Sequence, residues 1–243
     1  MSHQPSAAML VIGNEILSGK TRDANVQFIG ESLANMGIVL AEARVIRDDH
    51  QTIIAAVRDY SHKYDYVFTT GGIGPTHDDI TAAAVAAAFA TDLEIHPAAA
   101  ELIGGDPDHP RMKMAQIPVG AALIENSVSR APGFQIENVF VLAGVPSIAQ
   151  AMFAALSARL QRGQAIVSAN ADVFMKESDI AVPLTSIASA NDDVEIGSYP
   201  FSRDGTYGAN LVVRGTDADR VDAVMNEVVS AMSALGGEVV RRA

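Results

Sequence analysis

The sequence predicts an α/β protein: a three-layer, mostly parallel sheet with helices on both faces, followed by a small α+β domain in split-βαβ order. Three observations carry this. Strand and helix patterns alternate from residue 7 to about residue 90, as they do in parallel sheets. The strand candidates are short apolar runs bounded by glycine or polar loops, which is how strands buried on both faces read. Beyond Arg162-Gly163 the order becomes strand, helix, two strands, helix, strand, that of a two-layer split-βαβ sandwich. The expected domains are residues 1–162 and 163–243.

The elements follow in order. AAMLVI (7–12) is a buried strand ended by Gly13. A helix comes next, with Asp23 as its expected N-cap, Val26, Ile29 and Leu33 on its apolar face, and Gly37 as its stop. IVLAEARVI (38–46) is the second strand, and Asp49 caps a helix carrying Ile53, Ile54 and Val57. YDYVFT (64–69) is the third strand, after which Asp78 or Asp79 opens an alanine-rich helix. Residues 106–118, rich in proline and charge, read as a surface loop with a short helix. GFQIENVFVL (133–142) reads as a hairpin turning at Glu137-Asn138, and a helix runs from about Ser147 to Gln161. In the second domain, residues 165–175 are a strand and Ser178 is the expected cap of a helix to about Ala190. VEIGSY (194–199) and YGANLVVR (207–214) are strands, and Asp217 or Asp219 starts a long helix. Gly236-Gly237 ends that helix before a last strand at 238–240.

Composition narrows the function classes. Hydrophobic residues make up 49% of the 243-residue chain and charged residues 19%, enough apolar side chain for a buried core and too little charge for a disordered one. The net charge of −12 opposes nucleic acid and anionic membrane as partners. A phosphate-bearing small molecule remains compatible, bound through backbone amides or a bridging cation. The absence of cysteine excludes disulfides, thiolate zinc sites and cysteine nucleophiles. MSHQPSAAMLVIG has neither a basic n-region nor a long apolar h-region, so no signal peptide is expected. With no apolar run of membrane-spanning length, the expectation is a soluble cytoplasmic protein.

Loops leaving the C-terminal ends of parallel strands open on one edge, where such folds bind ligands. The loops in question are GNEILSG (13–19) with Asn14 and Glu15, RDD (47–49) with Asp48, TTGGIGPTHDDIT (69–81), and AGVP (143–146) with Gly144, provided its strand joins the same sheet. Gly71, Gly72 and Gly74 allow unusual φ angles and close approach of a ligand to the backbone. A helix start just beyond them offers free amides and partial positive charge to an anion. Asp79, with Asp48 or Glu15, could hold a hard divalent cation against a pyrophosphate. Lys113 and Arg111 are among the few cations near this anion site. Neither G-x-x-x-x-G-K-[ST] nor G-x-G-x-x-G occurs there. Each residue also has a plainer reading: an aspartate before a helix is commonest as a cap, which favours Asp48 over Asp49 as functional; Glu15 and Lys113 could be solvated; and the Gly-Gly turn could be only a tight connection.

At these residues the sequence resembles the MoaB/Mog (molybdopterin-binding) domain family. Its G-G-x-G-x-x-x-x-D-x-T pattern falls on Gly71, Gly72, Gly74, Asp79 and Thr81, and its second element, an apolar pair before x-D-[DE], places Asp48. GNEIL, Asn25 with Phe28, the segment from Asn126 to Ala131-Pro132-Gly133-Phe134, ESDIA (177–181) and IGSYPF…YGANLVVRGTD (196–217) are similar to the N-terminal part of CinA-type (competence/damage-inducible) proteins.

The resemblance implies a ligand site including Thr81, Asn126 and Gly144, a homo-oligomer, and one of two activities. The first is metal-dependent cleavage (Mg, Mn or Co) of a pyrophosphate in ADP-ribose or FAD-like dinucleotides, with Asp79, Asp48 and Lys113 as the catalytic set. The second is binding of molybdopterin or a nucleotide without chemistry. The chain ends at Ala243, short of the amidase domain of full CinA proteins, so nicotinamide-nucleotide deamidation is not expected. Three departures bear on substrate choice: Ala143-Gly144-Val145-Pro146 stands where the family has a P-G-P-P-like loop, Asn14 stands for Thr or Asp, and Ser129-Arg130 stands for Gly-Thr.

Overall fold

The computed structural model describes residues 4–203 and 205–242. The first three residues, read above for a leader, lie outside that range, as do Asp204 and Ala243. Contacts divide the chain into two compact units, one ending at Gly163 and the other starting at Gln164.

The first unit comprises β1 (Ser6–Ile12), α1 (Asn14–Leu17), α2 (Asn25–Asn35), β2 (Val39–Ile46), α3 (His50–Lys63), β3 (Tyr66–Thr70), α4 (Thr81–Ala88), β4 (Leu93–Ile95), α5 (Pro97–Ile103), β5 (Gln116–Pro118), β6 (Ala122–Ile124), β7 (Gly133–Ile136), β8 (Val139–Leu142) and α6 (Pro146–Leu156). The main sheet has the order β2-β1-β3-β8-β7-β6. β1, β2, β3 and β8 are mutually parallel, and β7 runs antiparallel to both of its neighbours. β1 shows why the sequence reads as it does. Ala8, Leu10 and Ile12 pack with α3 and α4 on one face, while Ala7, Met9 and Val11 pack with α2 and α6 on the other. Strand side chains alternate between faces, so a strand covered on both must be apolar throughout. On the α2/α6 face Phe68 stacks on Phe140 with ring centroids 5.3 Å apart and meets Phe153 at 5.6 Å.

Local signals hold at several ends. Asp49 accepts a hydrogen bond from the Thr52 amide and caps α3. Asp23 accepts from the Val26 amide at the start of α2. The β7–β8 hairpin turns at Glu137, whose φ is 49°, and Asn138 fastens that turn by donating to the carbonyls of Ser61 and Tyr64.

Other expectations need correction. The alanine-rich helix starts at Thr81, not at Asp78 or Asp79, and has no side-chain cap. The carboxylate of Asp79 is taken by Thr76 instead, so residues 74–80 wind as turns before the helix begins. The segment 106–118 does carry its expected short helix, as a 3₁₀ turn over Pro110–Ala115, but it ends in β5, which pairs with β4 in a separate two-stranded ribbon.

β2 is an edge strand of the sheet. Its Glu42 accepts hydrogen bonds from the Tyr60 and Tyr64 hydroxyls at 2.5 and 2.7 Å, from Arg44 at 3.0 Å and from Lys63 at 3.1 Å. Those donors, Tyr60 foremost, hold its carboxyl well below the usual carboxylate range.

The second unit is built from β9 (Val167–Val173), α7 (Glu177–Ala190), β10 (Glu195–Arg203), β11 (Thr206–Gly215), α8 (Ala218–Ala234) and β12 (Val239–Arg242). The sheet order is β10-β11-β9-β12, antiparallel throughout. Residues of α7 and α8 pack with Ala171, Val173, Leu211 and Val213 on one face. Asp217 caps α8 through the Arg220 amide, whereas Ser178 lies inside α7 and caps nothing. The α/β class and the small α+β second unit are those the sequence predicts.

Candidate functional site

In the order β2-β1-β3-β8 the chain leaves β1 toward one side and returns on the other. The loops after β1 and β3 therefore flank a switch in strand order, the place where open α/β sheets bind ligands. β8 runs parallel to β3, so the AGVP loop opens on the same edge.

The glycine loop is held from below. Gly71 and Gly72 have φ of 101° and 67°, a region that side chains disfavour. A Cβ on Gly71 would lie 2.1 Å from the Ile12 carbonyl oxygen, and one on Gly72 would lie 2.2 Å from Thr81 Oγ1. The Gly71 amide donates to Leu142 O at 3.2 Å. The Thr81 hydroxyl donates to Gly71 O at 2.9 Å, and its amide donates to Gly72 O at 3.0 Å. Thr81 is fully buried. It fastens the loop and does not present its hydroxyl to a ligand, a correction to the role implied by resemblance. Gly144 packs against this loop: its Cβ would meet Gly71 Cα at 3.3 Å. Asn25, from the start of α2, donates to Gly144 O at 2.9 Å and holds the AGVP loop in place.

One loop further on, Asp79 Oδ2 accepts from the Thr76 amide at 2.8 Å and the Thr76 hydroxyl at 2.5 Å. Lys113 donates to the carbonyl of the same Thr76. Thr76 therefore joins the acid and the cation that the sequence singles out. Its spacing of three from Asp79 is the available signal, since such residues often bond locally. On the other flank, the Asn14 amide donates to Asp48 Oδ2 at 2.7 Å, tying the loop after β1 to the loop after β2.

These loops border a cleft of about 450 Å³, within the usual range for small-molecule sites. Glu15, Gly71, Gly72, Gly74, Asp79 and Gly144 line its polar side. Met114, Pro132, Ile148 and Met152 supply its apolar wall, which comes from distant segments and has no local sequence signature. Asn14 and Asp48 are bonded to each other and do not line the cleft. Lys113 lines a smaller cavity of about 40 Å³ that shares Gly72, Gly74 and Asp79 with the cleft. Asn126 borders the cleft, but its side chain is already used. Its amide nitrogen donates to Ser129 Oγ and Ala131 O, and its oxygen accepts from the amides of Val128 and Ser129. It shapes the 126–131 loop, and its polar atoms are spent there.

Among the described residues no three or more Asp, Glu or His side chains form a ready-made metal cluster. Glu15 and Asp79 do share the cleft. Two carboxylates suit a magnesium-type cation that completes its shell with water and ligand phosphates. The residues therefore fit a cation that arrives with an anionic ligand.

The family profile described as "Probable molybdopterin binding domain" matches residues 8–162, and the one described as "FAD synthase, middle domain" matches residues 165–238. The crystal structure of the protein CinA, of unknown function, from Thermoplasma acidophilum is similar to this chain. It is 35% identical with a TM-score of 0.61, over 64% of this chain and 97% of that one. A "Probable FAD synthase" of Caenorhabditis elegans is 33% identical over 271 residues, covering 99% of this chain and 52% of its own length. A protein of Archaeoglobus fulgidus is 34% identical over 197 residues, covering 79% of this chain and 84% of its own. The chain thus spans about half the length of the nematode relative.

Proposed function

The chain belongs to the probable molybdopterin-binding domain family, on its CinA-type side, and from that premise we propose that it hydrolyses the pyrophosphate of a dinucleotide such as ADP-ribose or FAD. The observation that carries this reading is one cleft lined by a glycine loop with two positive-φ residues, two carboxylates and an apolar wall. The loop suits a phosphate and the wall suits a flat ring. The relative named "Probable FAD synthase" supports a nucleotide-type ligand.

In this reading the amides of residues 71–74 hold one phosphate. Glu15 and Asp79 would hold a divalent cation, which would supply charge neutralisation at the pyrophosphate, and Asp48 would steady the loop that carries Glu15 through its bond to Asn14. Water adds at the phosphorus of the adenylate half and the bond to the bridging oxygen breaks. The products are AMP and a second phosphate monoester. In this reading Lys113, from the adjoining small cavity, releases Thr76 O and steadies the charge developing on the leaving phosphate.

The test is incubation with ADP-ribose, FAD or NAD, with and without Mg²⁺, Mn²⁺ or Co²⁺, followed by chromatography for AMP. Metal-dependent AMP from one substrate supports the proposal, and no AMP under any condition overturns it. A second reading draws on the internal bonding of Asp79 and Asp48: the cleft binds molybdopterin or a nucleotide without turnover. It is distinguished by a ligand-induced rise in Tm with no product.

A further inference from the structure

In the second unit α7 and α8 cover one face of the sheet. On the other face strand alternation brings Tyr199 of β10, Asn210 of β11 and Asp172 of β9 into a single row, because Tyr199 pairs with Asn210 and Asn210 with Asp172. Asp172 is 2% exposed. Such a carboxylate must be compensated, and here it is over-compensated. Asn210 donates to it at 2.8 Å, Arg203 at 2.9 Å and Arg242 through Nε at 2.7 Å, with a further contact from the Arg242 Nη2. Burial pushes the Asp172 carboxyl up, but the bonds from Asn210, Arg242 and Arg203 outweigh it and hold the group below its usual range. Among the described residues one carboxylate therefore faces two guanidinium groups, which leaves a positive charge in excess. Both arginine side chains are about half exposed, at 51% and 48%, so each keeps N–H donors free for a further acceptor.

The aromatic rings beside this cluster lie down on the sheet. Tyr199 rests over Gly197, where a Cβ would come within 2.9 Å of the ring, and Phe201 rests over Gly208, where the distance would be 2.5 Å. Arg203 stacks on Phe201 at 4.3 Å from the ring centroid, which fixes the guanidinium plane. Tyr199, 49% exposed, has no such cover among the described residues. Tyr199, Arg203, Asn210 and Arg242 line a cavity of about 390 Å³, and no acidic side chain is among the described residues of its lining.

We propose that this sheet face is a second ligand site, for a small phosphate monoester carried on a flat ring, in class a nucleoside monophosphate. The free donors of Arg203 and Arg242 take the phosphate, as guanidinium groups do in paired geometry. The exposed face of Tyr199 takes the ring by stacking. The volume suits one small molecule, and the chain's net charge of −12 makes a local cationic cavity selective for such a ligand over a polyanion.

The experiment uses the whole chain and follows assigned backbone amide signals by NMR while AMP, inorganic phosphate or adenosine is added. AMP is expected to shift the amides of Tyr199, Arg203 and Asn210, with adenosine and phosphate each weaker. Arg203→Gln, which leaves Asp172 with Asn210 and Arg242, should weaken AMP and phosphate roughly 10-fold. Tyr199→Ala should weaken AMP roughly 5-fold or more and leave phosphate unchanged. Should Arg203→Gln fail to fold, the tyrosine variant carries the test alone. Shifts confined to residues 71–74, or an AMP response on the sheet that survives Tyr199→Ala unchanged, overturn the proposal. Neither result bears on AMP production from dinucleotides, so the two proposals fail separately.

Discussion

Thr76 grips one oxygen of Asp79 twice, with its amide at 2.8 Å and its hydroxyl at 2.5 Å, and no donor among the described residues takes Asp79 Oδ1. In the pyrophosphatase reading that oxygen would be the one available to a cation. Asp79→Asn should then lower AMP formation by roughly two to three orders of magnitude, with circular dichroism and Tm near wild type. Full activity in the Asp79→Asn enzyme would remove Asp79 from the mechanism.

The close contacts at Gly71 predict a stability ranking. Gly71→Ala combines a disfavoured φ with a Cβ 2.1 Å from backbone, whereas Gly19→Ala has a similar positive φ and open space around it. The strain alone costs about 1–3 kcal/mol, so Gly19→Ala should fall in that range. Gly71→Ala should cost more, because the Ile12 carbonyl cannot move without disturbing the sheet. Urea midpoints of the two variants read the difference.

Asn126 makes four hydrogen bonds within its own loop. Asn126→Ala strips the partner from the buried Ala131 carbonyl and unties the Val128 and Ser129 amides, and should cost about 1–3 kcal/mol. Its effect on the candidate site should then be indirect: a raised KM with kcat little changed. A collapse of kcat at unchanged KM would instead give the side chain a place in the chemistry.

Glu42 predicts an acid dependence. Its folded pKa lies below the unfolded value of about 4.3. The stability it contributes is therefore complete above that value and is lost as pH falls below it toward the folded pKa. Glu42→Gln should lower stability at pH 7 and flatten its decline between about pH 4.3 and 3, measured by urea titration at each pH. Parallel curves for the two proteins would show that the carboxylate is not coupled to folding.

What the sequence reveals divides along physical lines. β1 is legible because burial on both faces demands an unbroken apolar run, β3 because Tyr66–Phe68 supplies a shorter one before Thr69 and Thr70, and the convergence of the first three loops follows from parallel topology, whereas that of AGVP needs the pairing of β8 with β3. β4 and β5 are three residues each, too short for a period of two to show. The alanine-rich helix is legible, but its start is not: whether Asp79 caps a helix or closes a turn depends on Thr76, and both uses suit an aspartate there. Thr81 and Asn126 are misleading for a related reason. A hydroxyl or amide beside a ligand loop has the same sequence signature whether it points out at the ligand or back into the loop. The apolar wall of Met114, Pro132, Ile148 and Met152 is assembled only by the fold.

The meeting of Gly71 and Gly144 also governs how this site can change. A Cβ on Gly144 would press within 3.3 Å of Gly71 Cα, while Gly71 has no room of its own against Ile12. The two positions are in direct contact, so the effects of substituting them should be non-additive, and neither loop can drift without constraining the other. For anyone diversifying the cleft toward new ligands, the productive library is the apolar wall. Saturating the glycines would fill the pool with unfolded clones, and the site's evolvability resides in the residues that carry no motif.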